Sequence, residues 1–213
     1  LINANFLLSN NPLKRTIHST THISAGTKLE KLDKLKKKIK LIKNCDLKKS
    51  ATNIVFGDGS INSKIMIIGE GPGAQEDKEG LPFVGRAGQL LNKMLEAIQL
   101  SRKKVYISNV VNYRPPSNRK PTEIEIKRYY PFLVSHIEII NPNILLLLGS
   151  TALNALIGNE EVISRARGKW MEKEIGSTKL SIIASFHPAF LMRQPEQKKL
   201  SWIDLKMVRD KIK

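Results

Sequence analysis

Cysteine and long apolar runs are scarce in this chain, and its acids are outnumbered by its bases. One cysteine, Cys45, in 213 residues rules out an intramolecular disulfide and suits a reducing compartment. No apolar run approaches the ~20 residues that span a bilayer as a helix, so no membrane partner is expected. The first 25 residues are polar and weakly periodic and lack the continuous apolar stretch of a secretory signal. Residues 1–27 therefore read as an N-terminal extension, a mobile arm or loosely packed segment, ahead of one domain over residues 28–213. A cytoplasmic monomer is the expectation. Acid is outnumbered: 19 Asp and Glu stand against 36 Lys and Arg, a formal net charge of +17. Such a balance favours a polyanionic partner, nucleic acid before an acidic membrane, although a lysine-rich genome would lift the charge in the same way.

What is present is an alternation of strand and helix signals. The runs Ile65–Ile68, Val105–Val111, Ile144–Leu148 and Leu180–Ser185 are apolar and bounded by turn residues, the signature of buried parallel strands. Ile54-Val55-Phe56 reads as a further short strand before a Gly-Asp-Gly turn. Between the runs, apolar residues recur at helical spacing. Leu29, Leu32, Leu35, Ile39 and Ile42 mark a basic amphipathic helix over residues 28–43, and Leu90, Leu91, Met94, Leu95 and Ile98 mark a second helix from Ala87. Thr122 with Glu125 forms a capping-box pattern that opens a third, running to about Ile140. Ser150 starts a short helix, and Trp202, Leu205 and Val208 belong to a last one. Pro115, Pro116 and Pro121 keep the stretch between Arg114 and Pro121 out of helix and central strand. The fold class is α/β, a three-layer α/β/α arrangement around a central four-stranded parallel sheet.

In open α/β sheets ligands bind beyond the C-terminal ends of the strands, which directs attention to the segment after Ile68. Gly69, Gly71 and Ala74 satisfy a G-x-G-x-x-A dinucleotide pattern. The context speaks against it: Pro72 and a long loop are expected to delay the helix, and Glu70, Glu76, Asp77 and Glu79 crowd the place of a pyrophosphate. No strand ends in an acid about twenty residues on, as ribose recognition requires.

Gly69-Glu70-Gly71-Pro72-Gly73-Ala74-Gln75-Glu76-Asp77, followed by Gly80-Leu81-Pro82-Phe83-Val84-Gly85-Arg86-Ala87-Gly88, closely resembles the first motif of the family-4 uracil-DNA glycosylases. Asn109-Val110-Val111 with Arg114-Pro115-Pro116-Ser117-Asn118-Arg119, and Phe186-His187-Pro188-Ala189-Phe190-Leu191, agree with that family in order and spacing. The resemblance runs from Cys45 to about Leu205. It implies excision of uracil from single- or double-stranded DNA, with the target base flipped out of the stack and the N-glycosidic bond hydrolysed. By the same resemblance Glu70 positions or deprotonates water, and His187 stabilises negative charge at uracil O2. Phe83, an exposed-looking loop aromatic, stacks on the base; its bland alternative is a plug in the core. Asn109 pairs with uracil N3–H and O4, which cytosine would present in reverse. Gly71 and Glu76 complete the substrate-binding set, with Glu76 and Asp77 bracing the loop through backbone N–H groups. Arg114, Arg119 and Arg193 contact phosphates, and Leu191 wedges into the gap left by the flipped base.

One part of the family pattern is broken. The resemblance implies an iron–sulfur cluster on four cysteines, but Ile42, Tyr113 and Tyr129 occupy three of those positions and Cys45 alone remains. One thiolate cannot hold a cluster that ordinarily needs four, so no cofactor and no metal are expected. An active enzyme without metal and a catalytically inactive nucleic-acid-binding protein on the same scaffold are the two readings carried forward. A phosphate-binding enzyme of nucleotide metabolism is a distant third.

Overall fold

The computed structural model describes residues 26–158 and 161–212, so the expected extension over residues 1–27 lies almost wholly outside the described residues. The described chain runs α1 (Lys28–Lys40), α2 (Asp46–Ser50), β1 (Asp58–Gly59), β2 (Ile65–Gly69), α3 (Ala74–Glu79), α4 (Arg86–Ala97), β3 (Tyr106–Asn109), α5 (Glu123–Ile140), β4 (Ile144–Leu148), α6 (Ser150–Leu156), α7 (Ile163–Ala166), β5 (Trp170–Ile175), β6 (Thr178–Ser185), α8 (Pro188–Arg193) and α9 (Lys198–Lys211).

The sheet corrects the expectation of four parallel strands. It has six, in the order β1-β3-β2-β4-β6-β5. The central four, β3, β2, β4 and β6, are parallel and correspond to the four apolar runs. The two edges, β1 on β3 and β5 on β6, are antiparallel. Both edges were hidden for physical reasons. β1 is only two residues long. β5 carries Glu172, Lys173 and Glu174 in its middle, the charged dress by which an exposed edge strand avoids pairing with other chains. Ile54-Val55-Phe56 is not a strand; it is held by Asn112, whose carbonyl accepts from the Val55 N–H (2.8 Å) and whose amide donates to the Val55 carbonyl (3.1 Å).

Alternation along the buried strands builds two cores. Met66 and Ile68 of β2 and Leu145 and Leu147 of β4 join Leu32, Leu35 and Ile39 of α1 and Tyr129, Leu133 and Ile137 of α5 on one side. Ile65 and Ile67, with Ile144, Leu146 and Leu148, join Leu91 and Leu95 of α4 and Leu205 and Val208 of α9 on the other. Helices thus cover both faces, as a sheet buried on both sides requires. The α1 stripe is narrower than its spacing suggested, since Leu29 is exposed. The α5 capping box is as expected: Thr122 accepts from Glu125 N–H, Glu125 accepts from Thr122 N–H, and Asn141 ends the helix in the left-handed region.

Candidate active site

The strand order reverses between β2 and β4: β3 follows β2 on one side, and the chain then crosses to β4 on the other. The loops leaving the C-terminal ends of such a pair diverge, and the crevice between them is the preferred ligand position of the fold. A pocket of about 210 Å³ opens there. It is lined by Glu70, Gly71, Glu76, Phe83, Asn109 and His187, all six residues singled out above for catalysis or substrate binding, and by Asn118 and Arg119 at its side.

The β2 loop is more ordered than expected. No long loop delays the helix: α3 opens directly after Gly73, through residues of good helix propensity, and ends at Gly80 in the left-handed region. That ground for setting aside a dinucleotide site therefore fails. Another ground is replaced by a better one. The Glu76 carboxylate itself takes the N–H groups of Gly73 (3.1 Å), Val84 (3.0 Å) and Gly85 (2.9 Å), the donors a phosphate would want. Asp77 does the same on the other side, accepting from Thr52 N–H (2.9 Å) and Asn53 N–H (3.0 Å).

Phe83 is buried, not exposed, and packs with Leu91 and Leu95 while one side lines the pocket. Its ring centroid lies 5.5 Å from that of His187. Its backbone sits in the left-handed region (φ 53°), which costs a non-glycine residue and must be held by its surroundings. Arg102 holds it, donating to the carbonyls of Phe83 (2.9 Å) and Pro82. Two glycines make the room: a side chain at Gly88 would lie 1.8 Å from the Phe83 carbonyl oxygen, and one at Gly69 would meet both the Phe83 ring (2.5 Å) and Asn109 Oδ1 (2.6 Å). Arg102 escaped the sequence reading because it lies in a lysine-rich turn that reads as solvated surface.

Asn109 ends β3, buried, and its Oδ1 has no hydrogen-bond partner among the described residues. An unpaired buried carbonyl is costly, so its presence at a pocket wall points to a ligand that donates there. His187 follows β6. Its Nδ1 accepts from the Ala189 N–H (3.2 Å), which puts the proton of the neutral ring on Nε2 and leaves that nitrogen as the donor. Burial, with the Arg193 charge behind it, pushes the imidazole down to about 4, while the Glu76 charge pulls weakly the other way. His187 is therefore neutral at physiological pH.

Glu70 sits immediately past β2, and its Oε2 accepts from the hydroxyl of Thr151, in the first turn of α6. Thr151 carried no signal in the sequence except its place just beyond the C-terminal end of β4. Further back, Ser185 at the end of β6 donates to Asp204 Oδ2 (2.7 Å), and Asp204 is paired with Arg167 (Nε to Oδ2, 3.0 Å). This buried cluster pins the strand two residues before His187.

The residues expected to meet DNA are less uniform. Arg193 is exposed at the end of α8. Arg114 donates to Asn118 Oδ1 (2.8 Å), and Arg119 is held by both oxygens of Glu125 (2.8 and 2.7 Å). Leu191 is buried in the described conformation, so a wedge role requires α8 to shift on binding.

The four positions of the broken motif lie together near α2. Cys45 is buried with its sulfur 3.3 Å from the Tyr129 hydroxyl, Tyr113 and Tyr129 are buried, and Ile42 packs on the same core. Burial pushes both phenols upward, with the cysteine adding to the effect, so they stay protonated. One thiol, two neutral phenols and an aliphatic chain do not fit an iron–sulfur cluster. Among the described residues no group of three or more His, Cys, Asp or Glu could hold a metal ion, and no helix is long and apolar enough to cross a membrane.

Comparison with known proteins bears directly on this geometry. The Uracil DNA glycosylase superfamily matches residues 56–207, a span that begins before β1 and ends in α9. The chain is 42% identical to the type-4 uracil-DNA glycosylase of Thermotoga maritima over 168 residues, covering 78% of this chain and 86% of that one. It is 39% identical to the type-4 uracil-DNA glycosylase of Archaeoglobus fulgidus over 184 residues, covering 84% and 92%. The type-4 enzyme of Sulfurisphaera tokodaii is 38% identical over 190 residues, 85% of each chain.

Proposed function

The chain belongs to the uracil DNA glycosylase superfamily, and from that membership we propose that it removes uracil from DNA, hydrolysing the bond between base and deoxyribose to leave an abasic site. The observation that carries the reading is Asn109 Oδ1, buried in the wall of the pocket and without a hydrogen-bond partner among the described residues. Uracil N3–H supplies the donor it lacks, and the Asn109 amide N–H meets uracil O4. Cytosine offers an acceptor at N3 and a donor at N4, so both contacts would face the wrong way.

The remaining residues follow from the chemistry. The base must leave the stack to reach a pocket of this kind, and the Phe83 face is the surface on which it stacks. As the bond from C1′ to N1 breaks, its electron pair goes to uracil and the sugar becomes oxocarbenium-like. Neutral His187 donates Nε2–H to uracil O2, where the negative charge develops, and needs no proton transfer to do so. Glu70 offsets the positive sugar and orients the water whose oxygen bonds to C1′. The water proton passes to the carboxylate and finally to the departed base. Gly71 and Glu76 shape the pocket without taking part in the transfer. Arg114, Arg193 and, once it releases Glu125, Arg119 meet phosphates; Leu191 fills the vacated stack if α8 moves outward.

We take the scaffold as three layers, α/β/α, acting as a monomer inside the cell. No step passes through a metal cluster, because the residues at its family positions do not suit one. Retention of Glu70, Phe83, Asn109 and His187 in one pocket favours catalysis over mere binding. The test is incubation with a uracil-containing oligonucleotide followed by alkali. Cleavage at uracil is expected from the parent protein. Glu70→Gln should bind a non-cleavable uracil analogue while excising slowly, and Asn109→Asp should lose both. An uncut strand with the parent protein would overturn the reading.

A further inference from the structure

Thr151 is buried at the first turn of α6, and its hydroxyl makes, among the described residues, the one hydrogen bond to the Glu70 side chain. The hydroxyl donates and the carboxylate oxygen accepts. The two residues come together because β2 and β4 are adjacent and parallel: Ile65 to Ile68 pair with Ile144 to Leu147, and both strands discharge into the same crevice. Glu70 follows β2 directly, and Thr151 is three residues past the end of β4. Gly149, in the left-handed region (φ 89°), makes the turn that carries Thr151 back over the sheet edge, and its own Cβ position would stand 3.0 Å from His187 Cβ. The β4 turn therefore touches both catalytic candidates.

We infer that Thr151 is a positioning residue for the glycosylase reaction: its hydroxyl occupies one oxygen of the Glu70 carboxylate and fixes the other toward the attacking water. The inference rests on the proposed activity. Its physical content is orientational. A glutamate has three side-chain torsions, and the last is broad and roughly two-fold. Without a partner the carboxylate samples rotations in which neither lone pair points at the water, and reactivity depends steeply on such alignment. The hydroxyl removes that freedom at one oxygen, Oε2, and leaves the other for the water. The alternative is that Thr151 only packs, through its methyl group, beside Ala152 and Leu153 in the core.

Two substitutions separate these roles because they remove different halves of the side chain. Thr151→Val keeps the β-branched shape and loses the hydroxyl; Thr151→Ser keeps the hydroxyl and loses the methyl. Single-turnover excision of uracil from an oligonucleotide, KM and kcat under turnover, and binding of a non-cleavable uracil analogue are measured for each, with thermal unfolding alongside. For Thr151→Val, excision should slow by on the order of 10- to 100-fold in kcat with KM and analogue binding unchanged. Thr151→Ser should excise near the parental rate. In a Glu70→Gln background Thr151→Val should cause no further loss, since the group it positions is already disabled. Should Thr151→Val fail to fold, Thr151→Ala, a good helix former, takes its place in the comparison with Thr151→Ser. Excision at the parental rate by Thr151→Val, an equal loss in Thr151→Ser, or a full additional loss in the Glu70→Gln background would each overturn the inference. Failure of the parent protein to excise uracil is a separate result, which overturns the proposed activity itself.

Discussion

Phe83 is placed to do two things at once, and a single substitution can tell them apart. Its ring is buried among Leu91, Leu95 and their neighbours, yet it lines the pocket beside His187. Phe83→Ala would be uninformative, because emptying a core phenylalanine site costs roughly 3–5 kcal/mol of stability on top of any loss of stacking. Phe83→Leu retains most of the buried volume, and near volume-conserving apolar exchanges cost less than about 1.5 kcal/mol. The backbone strain at φ 53° is common to both residues and cancels from the comparison. What leucine lacks is a π face. Stacking on a base is worth roughly 1–3 kcal/mol, which converts to about a 5- to 150-fold lower excision rate if the flipped state depends on it. Single-turnover excision below the unfolding temperature of both proteins, with the unfolding midpoints measured alongside, gives the answer. Were Phe83→Leu to excise uracil at the parental rate, the ring would be a core plug and nothing more, and base stacking would have to be sought elsewhere in the pocket.

Three further outcomes are expected. His136 is buried against Phe56 and the Tyr106 hydroxyl (2.9 Å from Nε2), and burial pushes it down from 6.5 to about 3. The unfolded chain therefore takes up the proton first as pH falls, so its contribution is complete above pH 6.5 and is lost toward pH 3, at up to about 1.4 kcal/mol per pH unit; His187, held down to about 4, adds a slope of the same sign. Urea unfolding between pH 6.5 and 5 should show this decline, and His136→Gln should flatten it; an unchanged slope would refute the assignment. DNA affinity should fall steeply with salt, and Arg119→Ala should weaken binding only modestly, because its guanidinium is already engaged by Glu125; a flat salt response would point to a protein partner instead. Protein purified without oxygen should contain no stoichiometric iron, and Cys45→Ser should excise uracil at close to the parental rate; bound iron at one cluster per chain would contradict the packing argument.

The parallel middle of the fold was legible because fully buried strands must be apolar throughout, and Ile144–Leu148 matched its run end to end. The capping box of α5 was legible for a similar reason, since Thr122 and Glu125 satisfy each other locally. The antiparallel edges were not, because edge strands are selected for charge and brevity and so lose the very pattern that marks a strand. Helix α3 was missed because the pull of Pro72 and the glycines outweighed the helix-forming residues from Ala74 to Glu79. In the site, Glu70, Asn109 and His187 carried a positional signal because each lies at or just past the C-terminal end of a strand, and the family resemblance pointed to the same residues. Thr151 and Arg102 were not found, because each acts through another residue: one through the Glu70 carboxylate, the other through the carbonyls of Pro82 and Phe83. A residue that holds a site together by contact rather than by chemistry leaves no motif.

The broken cysteine motif bears on the site through one short stretch of chain. Asn109 lines the pocket, Asn112 fastens the extended segment at Val55 and Phe56, Tyr113 is buried beside Cys45, and Pro115 lines the pocket again. The loop that walls the site is thus anchored where a family cluster would hold it. A metal cluster fixes such a loop through covalent bonds to a few sulfurs. Close packing can do the same work without them, provided that no void is left, because interiors at crystal-like density have little freedom to shift. Tyr129 is fully buried, its hydroxyl meets the Cys45 sulfur, and its ring faces Phe132 at 6.4 Å. Two phenol rings and an isoleucine supply bulk where three thiolates would have supplied bonds. The anchoring therefore rests on bulk: Tyr113 and Tyr129 are buried phenols, and Ile42 packs on the same core.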